Sequence, residues 1–359
     1  MAPTDARKAS ARCVVGECRL CVIAARAGRI PLPLRFEGAM PATVPSAPIL
    51  IVVFNRPAKT RALVDQLLEL EGLDILVAAD GPRTEAERVK TDAVRAIVGE
   101  LEGRHRVCTK FAEHNLGCGA NVIDGIRWAF EQHERLIIIE DDIRISREFL
   151  DFCNEGLEAH RDRDDVLCIS SGPLVNLDHS AFPPTFLTRY PNIWGWATWR
   201  HAFADYSITL EQYSLTDLRR VLRETFPGRP VHRAYFMMLL LLIRSGRVDG
   251  WDFQYYFMSW AKRAFALTPA RNLAQNIGFD DEATHMKRAP ENVGRIAEES
   301  RKAAVLATAT ALPNEKYNRL IEHDLWHIGP YRVARFIAKY LISRPRHYDL
   351  SATTPAKGA

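Results

Sequence analysis

From Ile49 to Ser170 the chain repeats one pattern: a short β-rich apolar run, a polar break, then an amphipathic stretch of helical length. Ile49-Leu50-Ile51-Val52-Val53-Phe54 opens it, and a run of that length and composition reads as a strand buried on both faces. Leu63, Val64, Leu67, Leu68 and Leu70 then mark one helical face. Ile75 to Ala79 is a second strand ending at Asp80-Gly81-Pro82, and Val89, Val94, Ile97, Val98 and Leu101 follow on a helix. A third strand near Arg106 to Phe111 runs into His114-Asn115-Leu116-Gly117-Cys118-Gly119, before a helix through Val122, Ile126 and Phe130. Leu136 to Ile139 is the fourth strand, Phe149, Phe152, Cys153 and Leu157 face the next helix inward, and Val166 to Ser170 is the fifth strand. Asn55 and Ser146 suit helix N-caps, and Pro57 suits a first helical turn. Such alternation predicts an α/β domain with right-handed crossovers, a mainly parallel sheet and helices on both sides.

Each strand of this half ends in polar residues at the same edge: Asn55 and Arg56, Asp80, Asn115, and then Glu140-Asp141-Asp142. In an open α/β sheet ligands bind at those strand ends. Three successive carboxylates at the exit of a core strand repel one another unless something neutralises them, and a divalent cation is an economical counter-charge. The alternative is a solvated turn that merely ends the strand. There is no G-x-G-x-x-G after the first strand and no G-x-x-x-x-G-K-[ST], which disfavours a dinucleotide fold and a P-loop.

Charge narrows the partners. The 48 basic and 44 acidic residues leave a net +4, so no overall imbalance points to nucleic acid. The length of 359 residues and a 47% hydrophobic content support a real core in one large domain or two ordinary ones. Residues 1–46 have no clear period and hold four prolines between Pro31 and Pro45, which predicts a poorly ordered extension, with Met40 as an alternative start. The spacing of Cys13, Cys18 and Cys21 is similar to part of a plant-type iron–sulfur loop, but the next cysteine is Cys108, beyond a strand and a helix. Seven cysteines without regular pairing and no secretory pattern predict a cytoplasmic protein.

The alternation breaks after Gly172. Pro173 to Tyr190 reads as loop, followed by the tryptophan-rich Pro191-Asn192-Ile193-Trp194-Gly195-Trp196-Ala197-Thr198-Trp199. Leu218 to Phe226 and His232 to Ile243 read as helices, and Gly250-Trp251-Asp252 opens another that ends near Phe265. The longest apolar run, Phe236 to Ile243, falls short of the roughly 20 residues a spanning helix requires and predicts a buried helix. A loop from Asn272 to His285 follows. Tyr331 to Ser343 is a basic amphipathic helix in which Arg332, Arg335 and Lys339 would face either anionic lipid at the inner membrane face or solvent.

The order Phe54-Asn55-Arg56-Pro57, Asp80-Gly81, Asn115-Leu116-Gly117, Glu140-Asp141-Asp142, Trp194-Gly195-Trp196, Trp251-Asp252 and Asn276-Ile277-Gly278 with His285 resembles GT-A glycosyltransferases. It is similar to bacterial family 2-like enzymes, and the Glu-Asp-Asp and Trp-Asp elements are similar to Golgi N-acetylglucosaminyltransferases. The resemblance spans Pro48 to His285. It implies a GT-A-like (Rossmann-like) catalytic domain over residues 47–290, with a nucleotide-sugar half at 47–172 and an acceptor half at 173–290, followed by a helical C-terminal region at 291–359. It also implies a metal-dependent enzyme of polysaccharide biosynthesis that moves a sugar from a nucleotide-sugar donor to a hydroxyl of a glycan, lipid-linked or protein acceptor, inverting the anomeric centre.

Residue by residue, the resemblance gives Asp142 and His285 to a Mn2+ or Mg2+ ion on the donor diphosphate, and hard oxygen ligands suit those ions. It gives Arg56, Asp80, Asn115, Glu140 and Asp141 to the donor. Asp252 matches the catalytic base; at a helix start beside Trp251 it would stay ionised, although an N-cap explains it equally. Trp194, Trp196 and Trp251 would wall the sugar or acceptor, or fill the core. His285 could equally be an ordinary loop histidine. Two rivals stay open. A sugar nucleotidyltransferase would need a glycine-rich basic loop where Asn55-Arg56-Pro57-Ala58-Lys59 stands. A non-catalytic carbohydrate-binding protein would keep the fold without the reaction.

Overall fold

A computed structural model describes residues 10–13, 46–248, 250–280 and 312–342. Its centre is a nine-stranded sheet in the order β1-β4-β3-β2-β5-β9-β7-β10-β8. These strands are β1 (Ser10–Cys13), β2 (Ile49–Val53), β3 (Asp74–Ala79), β4 (Arg106–Phe111), β5 (Arg135–Glu140), β7 (Val166–Ser170), β8 (Thr185–Thr188), β9 (Trp196–Trp199) and β10 (Phe265–Pro269). β6 (Ile143–Ile145) pairs with β11 (Ala274–Asn276) in a separate two-stranded ribbon. β2, β3, β4, β5, β7 and β10 run one way, and β1, β8 and β9 run the other. The sheet is therefore mixed but mostly parallel.

The apolar runs explain the central strands. All five residues of β2 are buried, as are Leu136 to Ile139 of β5 and all of β7, which is the burial that helices packed over a parallel sheet produce. α1 (Pro57–Leu68) and α2 (Glu85–Gly99) pack on each other, α3 (Cys118–Gln132) lies across β2, β3 and β5, and α4 (Arg147–Ala159) lies across β5, β7 and β9. Pro57 does begin α1. Arg56 rather than Asn55 is at the cap position, its side chain makes no capping bond, and the Asn55 amide donates to Glu87 at 3.1 Å. Ser146 precedes α4, but its hydroxyl is buried and has no hydrogen-bond partner among the described residues.

The chain builds β2, β3 and β4 outward in one direction and then returns to place β5 on the opposite flank of β2. β2 and β5 therefore border the point where the strand order reverses, and a parallel sheet leaves a crevice at the carboxyl ends there.

Two stretches expected to be loop contain strands, and so does the tryptophan-rich run, for which the sequence predicts no element. β8 lies inside Pro173 to Tyr190, β9 ends the tryptophan-rich run, and β11 lies inside the loop from Asn272. β10 follows the helix that was expected to reach Phe265; that helix is α8 (Asp252–Ala261), which stops earlier. α5 (Arg200–Phe203), α6 (Leu215–Thr225) and α7 (Pro230–Arg244) complete this half, with Phe236, Leu239, Leu240, Leu242 and Ile243 of α7 buried as the apolar run predicts.

Hydrophobic residues gather in two clusters. One surrounds the sheet, and the other joins α6, α7 and α8 to Phe186, Tyr190, Tyr317 and Ile321. α9 (Glu315–Leu320) and α10 (Pro330–Ile342) belong to the C-terminal region. That region is anchored by a buried carboxylate: Glu322 accepts from Tyr190 at 2.6 Å and from Arg229, whose Nη1 stands 3.0 Å away. Burial pushes the Glu322 carboxyl up, but bonds from His232, Arg229 and Tyr190 outweigh it and bring it to about 2. Among the described residues no helix is long and apolar enough to cross a membrane. Cys18, Cys21 and His285 lie outside the described residues.

Candidate active site

Two backbone bonds place the polar strand ends around β2. Asp80 N–H donates to the Val53 carbonyl at 3.0 Å, and Asp141 N–H donates to the Val52 carbonyl at 3.1 Å. Each follows from the parallel register, in which Val53 pairs with Ala79 and Val52 with Glu140. The residues after β3 and β5 thus flank the end of β2, where Arg56 opens α1.

Arg56 bridges the crevice. Its Nη1 lies 3.2 Å from Asp141 Oδ1 and 2.7 Å from Asp142 Oδ2, with all three side chains no more than 16% exposed. The triplet is thereby partly neutralised from within the chain. Burial works against the Arg56 charge, and the carboxylates of Asp141 and Asp142 outweigh it and keep the guanidinium protonated. The carboxylates fare less well. Burial and then the charges of Asp142 and Asp141 push Glu140 up to about 8, while burial pushes Asp141 up to about 7 against the pull of Arg56. Among the described residues, Arg56, with Lys59 also acting on Asp141, does not bring Glu140 and Asp141 back to their ordinary range.

Asp252 joins this field. It is the first residue of α8, partly exposed, and its charge adds to those raising Glu140. The structure thus brings Asp252 into the electrostatic range of a triplet more than a hundred positions earlier in sequence.

The ribbon of β6 and β11 closes the other side. Ile277 N–H donates to the Asp142 carbonyl at 2.8 Å, and Asn276 Oδ1 accepts from Gly278 N–H at 2.7 Å. A side chain at Gly278 would put its Cβ 2.2 Å from Asp142 Oδ2 and displace that carboxylate from its present place. Lys59, one turn into α1 and 8% exposed, ties this segment down through Asp280 at 2.9 Å. Sequence reasoning missed Lys59 and Asp280. The one local signal was a lysine three residues after Arg56 in the first turn of the same helix.

Asp80 and Asn115, both expected at the donor, bond to each other and to the loop around them. Asp80 Oδ1 accepts from Gly81 N–H at 2.8 Å and Leu116 N–H at 2.7 Å, and Oδ2 accepts from Gly117 N–H at 3.2 Å and the Asn115 amide at 2.8 Å. Both oxygens are occupied, and the Asn115 amide also donates to the Gly81 carbonyl at 3.1 Å. Burial pushes Asp80 up to about 6 despite the backbone donors that hold it down. The pair orders the loop from His114 to Gly117 at the edge of the crevice.

The tryptophans divide. Trp196 is 1% exposed and packs edge-on to Tyr255 at 5.0 Å, and Trp251 is 6% exposed in the same cluster. Neither is a wall for a sugar, because β9 and the start of α8 turn their rings into the sheet core. Trp194 is half-buried and meets Phe279 edge-on at 5.7 Å, beside the segment that covers Asp142. Gly195, at φ +75°, turns the chain between the half-buried Trp194 and the core Trp196.

Among the described residues no group of three or more histidine, cysteine, aspartate or glutamate side chains converges as a ready metal cluster. The available donors near Arg56 are nevertheless hard carboxylate oxygens, and the raised Glu140 and Asp141 fit a divalent cation better than a soft metal.

No family model matches the chain, and no curated protein matches it. Solved structures do align with it, among them the following two. The mannosyltransferase PcManGT from Pyrobaculum calidifontis in complex with GDP-Man and Mn2+ is 14% identical, over 60% of this chain and 69% of its own, with a TM-score of 0.35. The apo structure of the bifunctional glycosyltransferase WbbM is 13% identical, over 64% of this chain and 40% of its own, with a TM-score of 0.28. Both are glycosyltransferases. Likeness at that level carries no argument about chemistry, which rests on this chain's own residues.

Proposed function

We propose that this chain is a GT-A-type glycosyltransferase that moves a sugar from a nucleotide-sugar donor to an acceptor hydroxyl with inversion. The observation that carries the proposal is the crevice at the strand-order reversal, where Arg56, the Glu140-Asp141-Asp142 triplet and Asp252 share one electrostatic field. A crevice of acids with buried cationic partners suits a ligand that brings both anionic phosphates and hydroxyl groups.

Asp252 is the base in this proposal. Its carboxylate stands at the positive end of a helix dipole, and it accepts the proton of the acceptor hydroxyl. The acceptor oxygen forms its bond to the anomeric carbon as the bond to the diphosphate oxygen breaks, and the nucleoside diphosphate leaves with the electron pair. Glu140 and Asp141 accept hydrogen bonds from donor hydroxyls. Arg56 releases its grip on Asp142 far enough to meet a phosphate, and Lys59 supplies a second fixed positive charge at the start of the same helix. Asp80 positions the loop at Asn115 to Gly117, whose backbone borders the donor. Trp194 lines the acceptor side. Asp142 would hold Mn2+ or Mg2+, with His285 as a second ligand; such an ion supplies charge stabilisation to the departing diphosphate.

The test is a thermal-shift screen of nucleotide sugars with and without Mn2+. One donor raising the melting temperature in a metal-dependent way, followed by transfer from that donor to a hydroxyl acceptor, is the expected result. Stabilisation by no nucleotide sugar under either condition would contradict it.

A further inference from the structure

The C-terminal helix α10 buries one face and, among the described residues, leaves the other exposed. Val333 and Phe336 pack into the helical cluster, with the Phe336 ring 5.0 Å from Tyr235 of α7. On the opposite side Tyr331 is 75% exposed, Ile337 44%, Leu341 77% and Ile342 82%. At about 100° per residue these four share one arc with Ala334 and Ala338. Arg335, Lys339 and Arg332 follow one another along a single border of that arc, and Arg335 leans over the Tyr331 ring at 6.0 Å. Arg344 and Arg346 come next in the sequence.

We propose that this face of α10 is a docking surface for a bilayer of anionic lipid. Aliphatic side chains flanked by an aromatic and a row of cations match the boundary between acyl chains and phosphate headgroups. Anionic headgroups complement the row of positive charge that borders the aliphatic arc, and acyl chains complement the arc itself. The sequence reading turned the cations themselves toward lipid; the fold instead turns the aliphatic arc outward and sets the cations beside it.

The position of α10 gives docking a consequence. Val333 and Phe336 of α10 and Phe253, the residue after Asp252, pack against the same hydrophobic cluster, so α10 and the start of α8 share one packed body. With Asp252 as the base, which rests on the proposed function, a bilayer under α10 offers the site a lipid-linked acceptor. Docking itself does not depend on that reading.

The full chain is sedimented with vesicles of phosphatidylcholine and phosphatidylglycerol in equal amounts, and with vesicles of phosphatidylcholine alone. The protein should pellet with the first and not the second, and salt should release it. Replacing Arg332, Arg335 and Lys339 together by Gln should weaken partition on the order of a hundred-fold. The double variant Leu341→Asp/Ile342→Asp should stay in the supernatant while keeping the wild-type melting temperature. Wild-type protein that stays in the supernatant at low salt, or a double variant that pellets equally, would overturn the proposal. So would a wild-type dimer that ignores vesicles and becomes monomeric in the double variant. Because vesicle binding needs neither donor nor turnover, its failure and the failure of the transferase reading are separate results.

Discussion

Arg56 Nη1 stands 2.7 Å from Asp142 Oδ2, joining the first turn after β2 to the strand end of β5 across the reversal of the strand order. That ion pair ties the basic first turn of α1 to the acidic end of β5, and its worth depends on how many of the three acids there are charged.

Glu140 at about 8 and Asp141 at about 7 both lie above their ordinary values. A carboxyl raised by folding binds its proton more tightly in the native chain than in the unfolded one, so its contribution is present at low pH and is lost as pH rises through the native value. Stability should therefore decline between about pH 4.5 and pH 8 from these two groups. Replacing Arg56 by Met should cost roughly 1–3 kcal/mol at pH 8 and much less at pH 5, where Glu140 and Asp141 are protonated. Urea unfolding of both proteins at the two pH values checks this. An equal loss at both would mean that Arg56 does not answer the triplet's charge.

Asp80 accepts four hydrogen bonds and orders the loop from His114 to Gly117. Asp80→Asn replaces one acceptor oxygen by a donor aimed at another donor, and should cost roughly 2–3 kcal/mol. Hydrogen exchange should show faster opening of the Leu116 and Gly117 amides. Unchanged protection would contradict the positioning role.

Glu322 behaves in the opposite sense from Glu140. At about 2 its native value lies below the ordinary one, so its contribution is complete above about pH 4.5 and disappears as pH falls toward 2. It is of the order of 3 kcal/mol. Glu322→Gln should lower the melting temperature at pH 7 and abolish the difference near pH 2, as thermal melts across that range would reveal. A constant difference at all pH values would place the effect in packing.

The first half of the fold is legible in the sequence because strands buried on both faces need unbroken apolar runs, and Ile49–Val53 and Leu136–Ile139 supply them. The acidic triplet is legible for the same reason, since charge begins abruptly where a core strand ends. β8, β9, β10 and β11 are not. Thr185–Thr188 follows two prolines, Trp196–Trp199 hides in a tryptophan-rich run, Phe265–Pro269 follows a helix almost directly, and Ala274–Asn276 is too short to show a period. The Lys59–Asp280 pair joins residues 221 positions apart, a separation no local pattern encodes. Composition could not separate a core tryptophan from a site tryptophan; only the orientation of β9 and α8 puts Trp196 and Trp251 in the core and leaves Trp194 at the crevice.

The most direct test of the account concerns Asp252. With a donor identified by thermal shift, Asp252→Asn should keep the donor-dependent stabilisation and lose about 10²–10⁴-fold in the rate of transfer to the acceptor. Transfer at the wild-type rate with donor binding intact would contradict it.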